Sequence, residues 1–313
     1  MTTAASLAQP ITANRLGHIG SVARKFFLTP ECAGSLAYLR IGLGVFLVVK
    51  SVILAGSLLQ FYGMRGITQW SVSEAILDPS VIRLSWIAHW LQPIGIDDDQ
   101  TVFLVFGVQA LAAVGLIIGW QTRLMALLAW LSHFALENSA AVTSYGADQM
   151  AHVFLFYCVI MPVGHSVSVD SWRRKTPYPA TVATRVVRRL IQFHLCIIYI
   201  SSGLSKAFRE QWWSGDAVWR LILEARFLRG FADVSWLASL PWLVAGVSWM
   251  ILFLEIGYPV FVWPHRTRNW WLAAVIVMHL ATGVMMGLVL FAWVMIVANV
   301  AAFAPRREVE GAP

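Results

Sequence analysis

Leu190-Ile-Gln-Phe-His-Leu-Cys-Ile-Ile-Tyr199-Ile-Ser-Ser-Gly-Leu-Ser-Lys206 is an apolar run closed by one lysine, and soon after it the chain reads Trp212-Trp213-Ser214-Gly215. A bilayer core about 30 Å thick needs about 20 mostly apolar residues per helix, and this run is close to that length. Charge in hydrocarbon costs at least roughly 2.5–3.5 kcal/mol on insertion scales. Lys206 is therefore either a snorkelling anchor with its amine in the headgroups or a working amine. Desolvation disfavours an ammonium, and the uncharged form is a base or a nucleophile.

The rest of the chain repeats that pattern. Of 313 residues, 58% are hydrophobic and 12% charged, with a mean hydropathy of +0.68. That composition excludes an ordinary soluble domain. Spans are predicted at about 34–57, 102–119, 123–141, 149–165, 187–205, 237–263, 269–286 and 288–303. The last 35 apolar residues must contain two of them, with the break between Gly283 and Gly287. The expected fold is an all-α, polytopic membrane bundle of about eight helices, folding as one unit. A segment 1–33 precedes it, the transmembrane domain covers 34–304, and a tail covers 305–313. The N-terminus is polar through Lys25, and no cleaved signal peptide is expected.

The net charge of +7 follows topology and is not a nucleic-acid signature. Arg15, Arg24 and Lys25 precede the first span, and Arg123 follows the second. Arg173, Arg174, Lys175, Arg185, Arg188 and Arg189 follow the fourth, Arg266 and Arg268 the sixth, and Arg306 and Arg307 the eighth. With eight spans, these 14 of the 23 basic residues share one side, while Glu74, Asp78, Asp97, Asp98, Asp99, Asp148, Asp216 and Asp233 share the other. The positive-inside rule then predicts cytoplasmic termini and an outer location for Lys206. Val81–Leu91, with Arg83, Trp86, His89 and Trp90, is expected as an outer interfacial or re-entrant helix. A second surface helix is expected over 216–231, with Arg220, Glu224, Arg226 and Arg229 on its polar face and Val218, Leu221, Ile222 and Phe227 on the other.

Cys32, Cys158 and Cys196 are too scattered for a metal or redox motif, and no metal is predicted. No phosphate loop, paired histidines or internal repeat is present. Ionisable residues inside spans are therefore the functional candidates. Arg40, in Leu36-Ala-Tyr-Leu-Arg-Ile-Gly-Leu-Gly44, either fixes helix packing through a buried salt bridge or binds an anionic or quinone-like group. Lys50 lies deeper in the same span. Glu255, in Phe253-Leu-Glu-Ile-Gly-Tyr-Pro259, is expected to pair with Arg40 or Lys50. His279 is either a packing residue or part of a site, and His133, His152 and His194 are weaker candidates. Tyr199, Ser202, Gly203 and Lys206 share one helix face by their i, i+3, i+4, i+7 spacing. Trp212 and Trp213 suit an outer aromatic belt.

These residues resemble the horizontally transferred transmembrane domain (HTTM) family, the membrane half of vitamin K-dependent gamma-glutamyl carboxylases. The pattern Tyr-x-x-x-Gly-x-x-Lys followed by Trp-x-x-Gly is matched by Tyr199, Gly203, Lys206, Trp212 and Gly215. Met161-Pro-Val-Gly-His165-Ser-Val-Ser-Val-Asp170, Arg40 to Gly44, Tyr62-Gly63, Glu255 with Pro259, and His279 followed by Phe291 are also family-like, over roughly 35–303. The resemblance implies that Lys206 is the base that starts oxygenation of reduced vitamin K or menaquinol. The strong base so formed removes a peptide proton, and the carbanion captures carbon dioxide. It further implies Tyr199, Ser202, Gly203, His279 and Arg40 at the quinol, with Asp148, Glu255, Trp212 and Gly215 shaping the remaining polar site. A small secreted peptide or protein substrate, membrane lipid as a further partner, no nucleic acid, and a bacterial plasma membrane complete that expectation.

Two departures stand out. The family's Asn-x-His-like element before the fourth span is replaced by Tyr145-Gly-Ala-Asp148-Gln149, and the sequence ends at Pro313, which predicts no large luminal substrate-docking domain. Three functions remain open on sequence: a quinol- and oxygen-dependent carboxylase or oxygenase; a non-enzymatic peptide-maturation, export or immunity subunit; and an ion-coupled transporter using Arg40, Lys50 and Glu255. Lack of an internal repeat ranks the transporter last.

Overall fold

A computed structural model describes residues 20–174, 176–227 and 235–303. Its frame is eight helices: α1 (Leu36–Leu54), α2 (Asp98–Ile118), α3 (Thr122–Ser139), α4 (Gly146–Ile160), α5 (Val182–Ala207), α6 (Pro241–Phe261), α7 (His265–Met286) and α8 (Val289–Phe303). Each falls on one of the eight predicted segments. Among the described residues no strand forms beyond one bridge between Glu31 and Thr181. Five of the helices, α1, α2, α5, α6 and α7, are long and apolar enough to cross a membrane, and α4 and α8 are shorter apolar helices. Leu111 on α2, Val277 on α7 and Phe253 on α6 are all more than half exposed. Outward apolar surface of this extent on long helices is suited to lipid. The protein is an integral membrane protein.

Helix boundaries follow local chemistry. α2 begins four residues before the predicted span because Asp97 and Gln100 form a capping box, with the Gln100 N–H donating to Asp97 at 2.7 Å and the Asp97 N–H to Gln100 at 3.0 Å. Asp98 and Asp99 in its first turn complement the positive helix end. α5 starts early at Val182, behind a Thr181 cap on the Thr184 N–H. Arg185, Arg188 and Arg189, expected in the preceding loop, thus lie in the helix. α4 stops at Ile160 rather than 165, because Met161 is extended, as the residue before a proline tends to be. The α7–α8 break falls at Gly287, which takes a left-handed φ of 70°.

α8 joins the two halves of the bundle. It packs on α1 and α4 from the first half and on α5 and α7 from the second. Without a hydrophobic force between helices in lipid, close packing by small residues is what holds such contacts. Gly42 meets the Val297 side chain and Gly44 the Ala113 carbonyl and Ile117, at distances that leave no room for a Cβ. The short helix Leu84–Leu91 lies on α2 and α3 with Leu84 and Ala88 buried and Trp90 77% exposed, as a surface helix requires. The second expected surface helix is present as Ala217–Phe227, and Arg229 lies outside the described residues.

The basic loops gather at one end. Glu31 pairs with Arg185 at 3.1 Å and with Arg188, and the Arg189 guanidinium covers the Phe26 ring at 3.7 Å. Asp170 is tied to Gln121 and Thr122 across two loops of the same end. Arg15, Lys175, Arg306 and Arg307 lie outside the described residues.

Candidate functional site

At the other end of the bundle, the last turn of α5 meets the middle of α6. Lys206 Nζ lies 2.6 Å from Ser202 Oγ and 2.8 and 2.6 Å from the two oxygens of Glu255. Three acceptors serve three N–H bonds. The lysine side chain keeps 25% exposure and the glutamate 8%. The amine is thus not alone in apolar surroundings, as its sequence context suggested, but is held by a carboxylate. Glu255 pairs with neither Arg40 nor Lys50, because α6 packs on α5 and not on α1.

Gly203 makes this contact possible. A Cβ there would lie 2.8 Å from Ile256 Cγ1, 3.0 Å from Ile256 N and 3.1 Å from Glu255 Cβ, so its absence lets α6 bring Glu255 up to the lysine. Gly203 acts here as a spacer between the two helices. Trp212 is buried, with its ring centroid 5.5 Å from Lys206 Nζ, within cation–π range. Its neighbour Trp213 is the exposed one and donates its indole N–H to the Ala207 carbonyl. Gly215, at φ +86°, sits against Ala245, and its carbonyl accepts from Ser248. The Trp212–Gly215 turn is thereby fastened to α6.

One turn deeper, Tyr199 Oη lies 2.7 Å from His279 Nε2 and accepts from Asn299 Nδ2 at 2.8 Å. Tyr258 stacks on Tyr199 with centroids 4.1 Å apart and donates to Asn299 Oδ1 at 2.7 Å. The other His279 nitrogen, Nδ1, is buried and has no hydrogen-bond partner. Such an orphan in an otherwise satisfied network calls for an explanation, and a ligand hydroxyl is one. Tyr258 and Asn299 were not singled out from sequence. Asn299 was findable as the amide inside an otherwise apolar span, and Tyr258 as the residue one turn beyond Glu255.

Arg40 and Asp148 are not part of this group. Arg40 lies at the basic end and donates to four backbone carbonyls, Val163 (3.2 Å), Ile117 (2.9 Å), Leu116 and Val167. It ties the ends of α2 and α4 to α1, a packing role filled by carbonyls rather than by a carboxylate. Asp148 belongs to a second cluster. Lys50 Nζ is 2.5 Å from Asp148 Oδ1 and 2.5 Å from Glu137 Oε1, and Tyr62 donates to the same Glu137 oxygen at 3.1 Å. His133 Nε2 faces the Asp148 carbonyl at 3.2 Å. One ligand atom each from His133, Glu137 and Asp148 lies within 4.8 Å of the others, a spacing a metal ion can use. The Lys50 ammonium, however, already holds both carboxylates, at 2.5 Å from each. Glu137 was missed in the sequence, although it is the lone acid of its predicted span.

Phe291 stands between the clusters. Its ring meets that of His279 edge-on at 5.8 Å, and its far edge is 3.3 Å from where a Gly146 Cβ would sit. His165, His152 and His194 lie elsewhere, His194 against the Tyr157 hydroxyl at 2.6 Å and His152 stacked on Phe134.

No curated protein and no solved structure is significantly similar to the chain. A family model described as HTTM domain matches residues 30–306, from before α1 to past the end of α8 and so across both clusters. With that match over most of its length, and with the lysine motif folded into one polar group, the chain belongs to the HTTM domain family.

Proposed function

We propose that the protein is an integral membrane enzyme resembling vitamin K-dependent gamma-carboxylase, crossing the bilayer eight times with both termini in the cytoplasm of a bacterial cell. It uses a quinol and oxygen to carboxylate or oxygenate a peptide at the outer face. The observation that carries this reading is the Lys206–Glu255 contact at 2.6 Å, one turn above the Tyr199–His279–Asn299 network. The segregation of basic loops to one end supports the orientation.

The residues fit a quinol, reduced vitamin K or menaquinol. A phenol, an imidazole with a free buried nitrogen, and a lysine–carboxylate pair offer donors and acceptors to its hydroxyl groups. When bound, a quinol would supply the electrons with which oxygen is activated. The chain's own part is proton handling. Lys206 and Glu255 together hold one mobile proton while neutral overall, and the pair can take one more. It accepts a hydroxyl proton at a Glu255 oxygen or at Lys206 Nζ, the electron pair of the broken O–H bond staying on the hydroxyl oxygen. A positioned base of this kind contributes on the order of 10²–10⁴-fold. Asn299 holds the Tyr199 hydroxyl, which in turn fixes the His279 ring, and the burial of all three keeps bulk water from this part of the site.

The test is oxygen-dependent menaquinol or vitamin K hydroquinone oxidation by the purified protein. Lys206→Ala should lose at least about 10²-fold in rate and Glu255→Gln a comparable amount. Equal turnover in wild type and Lys206→Ala defeats the reading. The departure at Tyr145–Gln149, where Asp148 is engaged by Lys50, favours a second reading, a non-enzymatic peptide-maturation, export or immunity subunit. Full biological activity of Lys206→Met would select it.

A further inference from the structure

At the basic end, the loop after α4 and the start of α3 enclose a cleft of about 640 Å³, lined by Gln121, Arg123, His165, Asp170, Arg173 and Tyr178 among others. We propose that this cleft binds a phosphate group, either the headgroup of an anionic phospholipid or a soluble phosphate.

Charge balance is the first argument. Arg123 and Arg173 line the cleft, and among the described residues neither guanidinium has a hydrogen-bond or carboxylate partner. Arg174 adds a third cation, 4.3 Å above the Tyr178 ring. The one carboxylate in the cleft, Asp170, is already engaged. It accepts from the Gln121 N–H at 2.9 Å, the Thr122 N–H at 2.7 Å and the Thr122 hydroxyl at 2.6 Å. Three cations against one occupied anion leave a positive cleft, and guanidinium forks match phosphate oxygens in pairs. His165 reports the same field: partial burial, then Arg123 and Arg174, hold its imidazole below the ordinary value.

Shape is the second. The His165 and Tyr178 rings stack at 3.7 Å and 5°, making a flat wall. Gln121 on the lining and Val167 beside it have φ of 43° and 49°, the non-glycine residues with positive φ among those described. For a β-branched valine that conformation is a genuine outlier. Strain of this sort persists only where surroundings impose it, and here Arg40 holds the Val167 carbonyl while Asp170 holds the Gln121 N–H. Leu124 on the lining is exposed, as are Trp120 and Trp172, each next in sequence to a lining residue, which suits a ligand with acyl chains beside its headgroup.

The experiment is native mass spectrometry of the purified full chain in mixed micelles holding equal phosphatidylglycerol and phosphatidylcholine, followed by titration with inorganic phosphate. Phosphatidylglycerol should be retained in preference. Arg123→Gln with Arg173→Gln should weaken retention roughly fivefold per cation, so about twenty-five-fold together. Both side chains are exposed, so the melting temperature should not move, and Arg173→Glu alone gives an independent check. Retention unaffected by millimolar phosphate assigns the site to lipid, whereas displacement by phosphate assigns it to a soluble phosphate. Equal retention of both lipids with no phosphate binding overturns the proposal, as does unchanged binding in both variants.

Discussion

Replacing Lys50 with methionine tests the physical logic of the second cluster. Lys50 is 7% exposed, and its ammonium lies 2.5 Å from both Glu137 and Asp148. Methionine keeps most of the stem volume and removes the only cation that those carboxylates contact among the described residues. Two acids are then left in the bundle interior, with the Tyr62 hydroxyl donating to Glu137 and the Tyr145 N–H to Asp148. Breaking a buried ion pair by removing one partner costs about 3–5 kcal/mol. With an unfolding entropy of about 2 cal/mol/K per residue, a chain of 313 residues converts that to a fall in Tm of roughly 5–8 °C. The assay is thermal unfolding in detergent, followed by intrinsic tryptophan fluorescence. Adding Asp148→Asn should recover part of the loss, because it removes one uncompensated charge. An unchanged Tm in Lys50→Met, or a double variant less stable than the single one by the full sum, would refute the reasoning.

Gly203→Ala should cost about 1–3 kcal/mol, since its Cβ displaces the Ile256 side chain and backbone and Glu255 Cβ, and quinol oxidation should fall further than stability does. Tyr199→Phe should cost about 1–3 kcal/mol in chemical denaturation, because His279 Nε2 and one Asn299 N–H lose their partner; Tm equal to wild type would count against the network. Asp170, outside the helical spans, gives a pH signature. Desolvation raises its carboxyl, but the Thr122 hydroxyl and the Thr122 and Gln121 N–H groups outweigh it and hold the group below the ordinary 3.8. Its stabilisation is therefore complete above that value and is lost as pH falls through the depressed one. Asp170→Asn should melt lower than wild type at pH 7, with the gap closing below about pH 3.8; a constant gap would contradict the sign.

What the sequence revealed and withheld divides along one physical line, local spacing against lateral contact. The helices were legible because a span is set by its own composition, and Asp97-x-x-Gln100 and Gly287 set their ends by local hydrogen bonding and φ. Tyr199, Ser202 and Lys206 were legible as one face for the same reason. Charge pairing was not. Lys50 and Lys206 both sit near the C-terminal ends of helices that run the same way, so depth along the span does not say which of Glu137, Asp148 and Glu255 each one meets. That choice depends on which helices adjoin, and α6 packs on α5. Arg40 shows the same limit from the other side, since four carbonyls, from the end of α2 and the loop after α4, satisfy it and no residue pattern encodes them.

The two clusters, once placed, constrain each other. Lys206 with Glu255 is balanced, whereas Lys50 faces two carboxylates, so the second cluster needs one more positive charge to be neutral. Desolvation in the bundle interior makes such an excess charge costly, and the Tyr62 hydroxyl, donating to Glu137 at 3.1 Å, offsets part of it. Phe291 contacts the His279 ring of the first cluster and approaches Gly146, two residues before the second cluster's Asp148. Substituting Phe291 with a small residue should therefore couple the two, so that changes at Lys50 begin to alter turnover at Lys206. With Phe291 in place, a double-mutant cycle between Lys50 and Lys206 should show additive effects on the rate of quinol oxidation.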